Sequence, residues 1–187
     1  METMVRNDTL SVIHERKSVR HFTGEPVTKK EIQILLHAGM AAPSAVHMLP
    51  WTFIVVSDSK MLAALSGELP FAKMLQQAGT AIIVCVSPRE AAMGKVEFAV
   101  LDGACASENI LLAAEALGLG AVWTAVYPTV ELMDKVRKLL NIPQDIIPLN
   151  VIPVGHPTGE DHPRRKFKDK AIYWEKWAGR NNLVAVQ

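Results

Sequence analysis

The sequence predicts one domain of mixed helices and strands that departs from a Rossmann sheet, on three observations. Four β-branched or aromatic runs are interleaved with helical patterns, but without a regular βαβ alternation. No G-x-G-x-x-G turn joins a strand to a helix. The length of 187 residues suits a single domain with an extended tail, and from Gly155 onward the composition changes to His, Pro, Arg and Lys.

The elements follow in order. Residues 9–15 read as a short helix with Asp8 or Thr9 as its N-cap. T-K-K-E pairs Thr28 with Glu31 in a capping box and opens a helix through Ile32, Leu35, Leu36 and Ala38. That helix ends near Ala41-Ala42, because Pro43 disfavours helical geometry at the residue before it. Residues 51–57, W-T-F-I-V-V-S, read as a strand, and residues 59–66 and 70–77 as two short helices. Residues 80–87, T-A-I-I-V-C-V-S, read as a second, buried strand. Residues 96–117 form the longest helical pattern, apolar nearly all round, which predicts burial on every side. Gly118-Leu119-Gly120 ends it. A third strand is expected over 121–127, a helix capped by Thr129 as far as about Leu140, and a fourth strand over 146–154. In the tail, apolar residues return only at Ala171-Ile172-Tyr173-Trp174 and Trp177, an aromatic segment that needs a surface to lie on. It either packs back on its own domain or wraps a second subunit.

Twenty Lys and Arg against 19 Asp and Glu leave a net charge of +1, which argues against a nucleic-acid or anionic-membrane surface. Any basic cluster is therefore local and suits a compact anion. Cys85 and Cys105 lie in apolar segments without metal-like spacing and read as free thiols of a reducing compartment. No apolar leader and no membrane-length run is visible, so a cytoplasmic protein is expected.

Four constellations carry chemistry. In R-K-S-V-R, an extended backbone puts Arg16, Ser18 and Arg20 on one face, and guanidinium forks beside a hydroxyl are good phosphate donors. A solvated charge run is the plainer alternative. A-A-P-S-A-V-H-M-L-P-W offers small residues beside prolines, so a flat ligand can approach Pro43, Ser44 and Ala45, with His47 as a donor. A helix-to-strand loop explains the same pattern equally well. G-L-G-A-V-W-T-A-V-Y-P ends a strand in small residues whose N–H groups can meet a ligand edge. V-G-H-P-T-G-E-D-H-P-R-R-K-F adds a glycine turn and a second basic cluster, Arg164, Arg165 and Lys166. The six histidines show no metal-ligand pattern, and neither a nucleophile elbow nor a phosphate-binding G-x-x-x-x-G-K-[ST] loop occurs. Asp102 and Glu108, on the long helix, read as capping or bridging groups. Anion-binding clusters without an obvious catalytic side chain suggest that a cofactor carries the chemistry.

Taken in register, I-H-E-R-K-S-V-R-H-F, A-P-S-A-V-H-M-L-P-W, D-G-A-C-A-S-E-N-I-L-L-A-A-E-A-L-G-L-G-A-V-W and V-I-P-V-G-H-P resemble the nitroreductase family of FMN-dependent oxidoreductases, in its short branch. The resemblance spans essentially the whole chain. It implies an α+β fold, a mostly antiparallel sheet wrapped by helices, in an intertwined homodimer with FMN at the interface. Residues 1–163 would form the FMN-binding domain and residues 164–187 an arm extending over the partner. Arg16 and Ser18 match the residues that hold the FMN phosphate, Lys17 contributes through its backbone or stem, and Arg20 matches the basic residue that tunes the N1–C2 edge of the flavin. Pro43, Ser44, Ala45 and His47 match the loop that the partner lays along the ring. Thr124, Ala125 and Val126 match the strand end whose backbone N–H faces flavin N5. Gly155 and His156 fall near the phosphate-side turn, and Arg164 and Lys166 match the late basic pair.

The chain departs from the family pattern at His47, Met48 and Leu49, where N-x-Q is common, and at Ala125, where some members carry an acid. The short stretch over 87–97 lacks a substrate-covering insertion. The implied activity is ping-pong reduction of a nitroaromatic, quinone or similar electron-poor acceptor, with NADH or NADPH as donor. A flavin carrier or redox sensor without turnover, and a flavin-fragmenting branch of the family, are the alternatives.

Overall fold

The structure, a computed structural model, describes residues 8–164 and 167–177. Six helices and five strands follow one another as α1 (Thr9–Glu15), α2 (Lys29–Met40), β1 (Trp51–Val56), α3 (Ser59–Glu68), α4 (Leu75–Ala78), β2 (Thr80–Val86), α5 (Val96–Ala116), β3 (Gly120–Ala121), β4 (Thr124–Ala125), α6 (Val130–Leu140) and β5 (Ile147–Gly155). Capping chemistry sets several helix starts. Asp8 accepts the Leu10 N–H at the head of α1, and Thr28 and Glu31 form the reciprocal capping box of α2. Asp58 accepts the Met61 N–H and starts α3.

The sheet runs β1-β2-β5-β3, with β4 also on β5, and every pairing is antiparallel. Alternation along β2 separates its two faces. Ala81, Ile83 and Cys85 join Leu62, Leu65 and Val136 in a core under α3 and α6, while Ile82 and Val84 join Leu35, Ile110 and Ala114 in a core under α2 and α5. Full burial of each such isoleucine or leucine contributes about 1.5–3 kcal/mol, so the layers on both faces matter to stability. The result is an antiparallel sheet wrapped by helices, the α+β class expected.

Three expectations are corrected. The third strand is two short pieces. Pro153 in β5 presents its carbonyl to the Val122 N–H but has no N–H to return, so the ladder breaks between β3 and β4. The helix expected over 70–77 shrinks to α4, after a chain of turns. Finally, α5 is not buried on every side. Its inner face is Ala99, Asp102, Gly103, Ala106, Ser107, Ile110, Leu111 and Ala114, whereas Leu101 is 62% exposed and Cys105 is exposed. Small residues let the helix lie close to the sheet: a Cβ at Gly103 would fall 2.5 Å from Val86 Cγ1. Of the larger apolar residues, Leu101 and Val96 face outward, while Ile110 and Leu111 are buried. Among the described residues, no helix is long and apolar enough to cross a membrane.

Candidate functional site

The segment after α1 runs extended past the end of β3. Val19 is 1% exposed and donates its N–H to the Ala121 carbonyl at 3.0 Å, which anchors the segment. Gly120 permits this approach, since a Cβ there would stand 2.5 Å from Val19 Cγ1. With Val19 turned into the core, Arg16, Lys17, Ser18 and Arg20 line a cavity of about 620 Å³ together with Glu160, Asp161, His162, Pro163 and Arg164. Residues 16–20 and 160–164 thus meet, with four cationic side chains around one hollow.

Carboxylates behind the hollow hold these cations in place. Arg16 Nε lies 3.2 Å from Glu108 Oε1, and Lys17 Nζ lies 3.2 Å from Glu115 Oε2, a carboxylate 8% exposed as a residue. Asp161 closes the far wall. Its Oδ2 accepts the backbone N–H groups of Arg20 at 2.8 Å and His21 at 3.0 Å, and lies 3.1 Å from His21 Nδ1. Burial alone would raise the Asp161 carboxyl, but the two N–H groups and the His21 ring together hold it below the usual carboxylate range. The Arg20 guanidinium folds back towards the Ser18 carbonyl at 3.4 Å.

The other expected residues fall elsewhere. Thr124 is buried and its hydroxyl donates to the Val151 carbonyl, while Ala125, paired with Asn150, is exposed at the strand end. Val126 is 1% exposed and gives its N–H to the Leu149 carbonyl at 3.2 Å, so that N–H is committed to the scaffold. Gly155 is packed, with any added Cβ only 2.1 Å from the Ala78 carbonyl oxygen. The His156 carbonyl accepts the Thr23 N–H at 2.9 Å. Neither Gly155 nor His156 lines the hollow, and both secure the turn beside it. Lys166 lies outside the described residues.

Pro43, Ser44, Ala45 and His47 form a loop, exposed at Pro43 and His47 and half-buried at Ser44 and Ala45, tied to the other end of α5, where the Ala45 N–H reaches Asp102 Oδ1 at 2.9 Å. At 1.5 Å per residue, Asp102 and Glu115 stand about 20 Å apart along the helix. Glu108, which also backs the hollow, stands only about 9 Å from Asp102 on the same scale, and none of the loop residues lines the hollow.

The sequence profile of the Nitroreductase family matches residues 13–69 and 64–156. The chain belongs to the nitroreductase family. A protein of Methanothermobacter thermautotrophicus, provisionally named NADH dehydrogenase/NAD(P)H nitroreductase, is 42% identical over 171 residues, 91% of this chain and 88% of the relative. The crystal structure of a protein of the same provisional name from Parabacteroides distasonis superposes with a TM-score of 0.86 at 46% identity, covering 92% of this chain and all of that one. A protein of Desulfovibrio desulfuricans provisionally named a nitroreductase, crystallised in complex with FMN, has a TM-score of 0.78 at 26% identity, covering 92% of this chain and 99% of that one. The nitroreductase fold expected from the sequence is the fold observed.

Sequence reasoning missed two of these carboxylates, Asp161 and Glu115. Asp161 sits among basic residues and carries no periodic signal. Glu108 and Glu115 did leave one: two glutamates seven apart share a helix face, and that face meets Arg16 and Lys17. The bridging roles read for Asp102 and Glu108 are the ones observed. Burial pushes the Cys85 thiol up to about 12, which Arg137 partly opposes, so Cys85 is inert at neutral pH.

Proposed function

We propose that this nitroreductase-family chain is an FMN-dependent NAD(P)H oxidoreductase reducing nitroaromatics, quinones or similar electron-poor acceptors. The observation that carries the reading is the hollow where Arg16, Lys17, Ser18, Arg20 and Arg164 converge. Its donor chemistry fits a phosphate dianion: guanidinium forks bind phosphate oxygens through paired, charge-assisted N–H bonds. The provisional relatives' names and the FMN-bound relative support the same cofactor and donor.

In this reading Arg16, Ser18, Arg164 and Lys166 would hold the phosphate, with the Lys17 stem alongside, and Arg20 would stand beside the flavin. FMN held there would supply two-electron transfer between a nicotinamide and an acceptor, in ping-pong order. The chain's own part is to bind, orient and balance charge. Glu108 and Glu115 fix Arg16 and Lys17 before any ligand arrives, which reduces the ordering cost of binding. Ala125 offers no side-chain acid at the strand end, so protons would reach the acceptor from water or a flavin-bound network.

The loop carrying Pro43, Ser44, Ala45 and His47 comes from the second subunit of a homodimer. The loop residues do not line the hollow, and Leu101 and Val96 of α5 are exposed; both favour this arrangement. Two unbridged cysteines suit a reducing, cytoplasmic setting. Steady-state oxidation of NADH and NADPH against a soluble quinone and a nitroaromatic tests the function. Parallel double-reciprocal lines are expected with at least one donor. Intersecting lines would overturn the ping-pong order, and no oxidation of either donor would overturn the enzyme.

A further inference from the structure

Asp102 is a carboxylate that the cationic hollow does not use. It lies on the inner face of α5, 5% exposed, with Oδ1 accepting the Ala45 N–H at 2.9 Å and Oδ2 buried without a hydrogen-bond partner. A buried carboxylate with one oxygen unsatisfied works against stability, so core packing does not explain it. Its direction is set by Gly103, which seats α5 against Val86 and Leu149 so closely that an added Cβ would lie 2.5 and 2.9 Å from their side chains.

The group it holds is strained. Val46, His47 and Leu49 have φ of 46, 59 and 53°, left-handed backbone that non-glycine residues rarely adopt and a β-branched valine least of all. Such a shape persists only where its surroundings over-determine it. Several of the loop's bonds are internal: His47 N–H to the Ser44 carbonyl, Met48 N–H to the Ala45 carbonyl, and Leu49 N–H to Ser44 Oγ. The Ala45–Asp102 bond instead ties the loop to the core helix. The strain presents Val46, Met48 and Leu49 outward, 79, 46 and 38% exposed.

We infer that Asp102 is a positioning residue, whose carboxylate holds the 44–49 loop in the strained form that meets the cofactor of the other subunit; this rests on the FMN reading above. It acts through the Ala45 N–H and touches neither cofactor nor substrate.

Hydrogen–deuterium exchange on the FMN-free full chain tests the tie without activity. In D102A, amides over 45–49 should exchange at least about tenfold faster while β2 and β5 stay protected, whereas D102N, which keeps a carbonyl acceptor, should stay close to wild type. A45P removes the same bond from the donor side. Ala45 opens a 3-10 turn, and Ser44 before it has φ −136° and ψ 154°, the extended geometry a residue takes ahead of proline. D102A and A45P should each weaken FMN binding by about tenfold, and the double variant no further, because both remove one interaction. Unchanged loop exchange in both variants, or multiplying losses of FMN affinity, would overturn the inference. Should D102A fail to fold, a protected loop in A45P alone would overturn it. If the wild type takes up no FMN, the FMN reading fails, while the exchange arms still decide the tie.

Discussion

The Asp161 carboxylate accepts two backbone N–H groups from the segment that carries Arg20, while its own chain continues to Arg164. This group joins the two halves of the hollow, alongside the bonds from the Thr23 N–H to the His156 carbonyl and from the Thr158 N–H to the His21 carbonyl. Its pKa is depressed in the folded protein, so it contributes stability that is complete above the unfolded value, about 3.9, and is lost as pH falls through the lower folded value. An NMR titration of the Asp161 carboxyl should find its midpoint below the ordinary aspartate value, and D161N should remove stability that wild type keeps at neutral pH. An ordinary midpoint would mean that the two N–H bonds do not persist in solution. The cations have their own test. Arg16→Ala and Arg164→Ala should each weaken FMN binding by roughly 1.5–3 kcal/mol, the scale of a charge-assisted hydrogen bond. Calorimetric titration checks this, and unchanged affinity in both would return the clusters to solvated surface.

At the scale of elements, the approach of the 16–20 segment to β3 decides where its side chains point. Gly120→Ala places a methyl group 2.5 Å from Val19 Cγ1, which must shift. Overpacking of this kind costs about 1–3 kcal/mol. Denaturant unfolding should show that loss together with weaker FMN binding, whereas Gly118→Ala, with nothing within 4 Å of its Cβ, has backbone strain alone at φ +72°. What the sequence revealed follows from locality. Thr28 with Glu31, the continuous apolar run of β2 and the R-K-S-V-R cluster are short-range patterns; the structure shows the capping box, a strand buried throughout, and Arg16, Ser18 and Arg20 lining one hollow. The break opposite Pro153, the scaffold role of Val126, and the clasp at Asp161 depend on partners far away in sequence, which no local period encodes. The all-round apolar pattern of α5 was legible, but its burial was assigned to one subunit when part of that surface faces outward.

For the whole molecule, the outward features belong together. A cavity of about 350 Å³ lies between α1, α2 and α5, lined by Val12, Ile13, Ala38, Leu112 and Ala113 among others, and Leu10, Met40 and Leu101 of the same helices are exposed. Trp177 stacks on Tyr173 with ring centroids 4.6 Å apart yet remains 82% exposed, and Trp174 is 47% exposed. Exposed apolar surface on this scale marks an interaction face, which in the proposed homodimer is the partner, with the arm from residue 164 lying over it. Truncation after Lys168 should cost both the dimer and FMN retention, as light scattering and absorbance would report. A truncated chain that stays dimeric and flavin-bound would refute the arm exchange. The central claim is that the hollow between residues 16–20 and 160–164 holds FMN, and spectroscopic titration of the purified, flavin-stripped full chain with FMN tests it most directly. Saturable uptake of about one FMN per subunit, with a yellow protein, is predicted, and a protein that stays colourless with no uptake would contradict it.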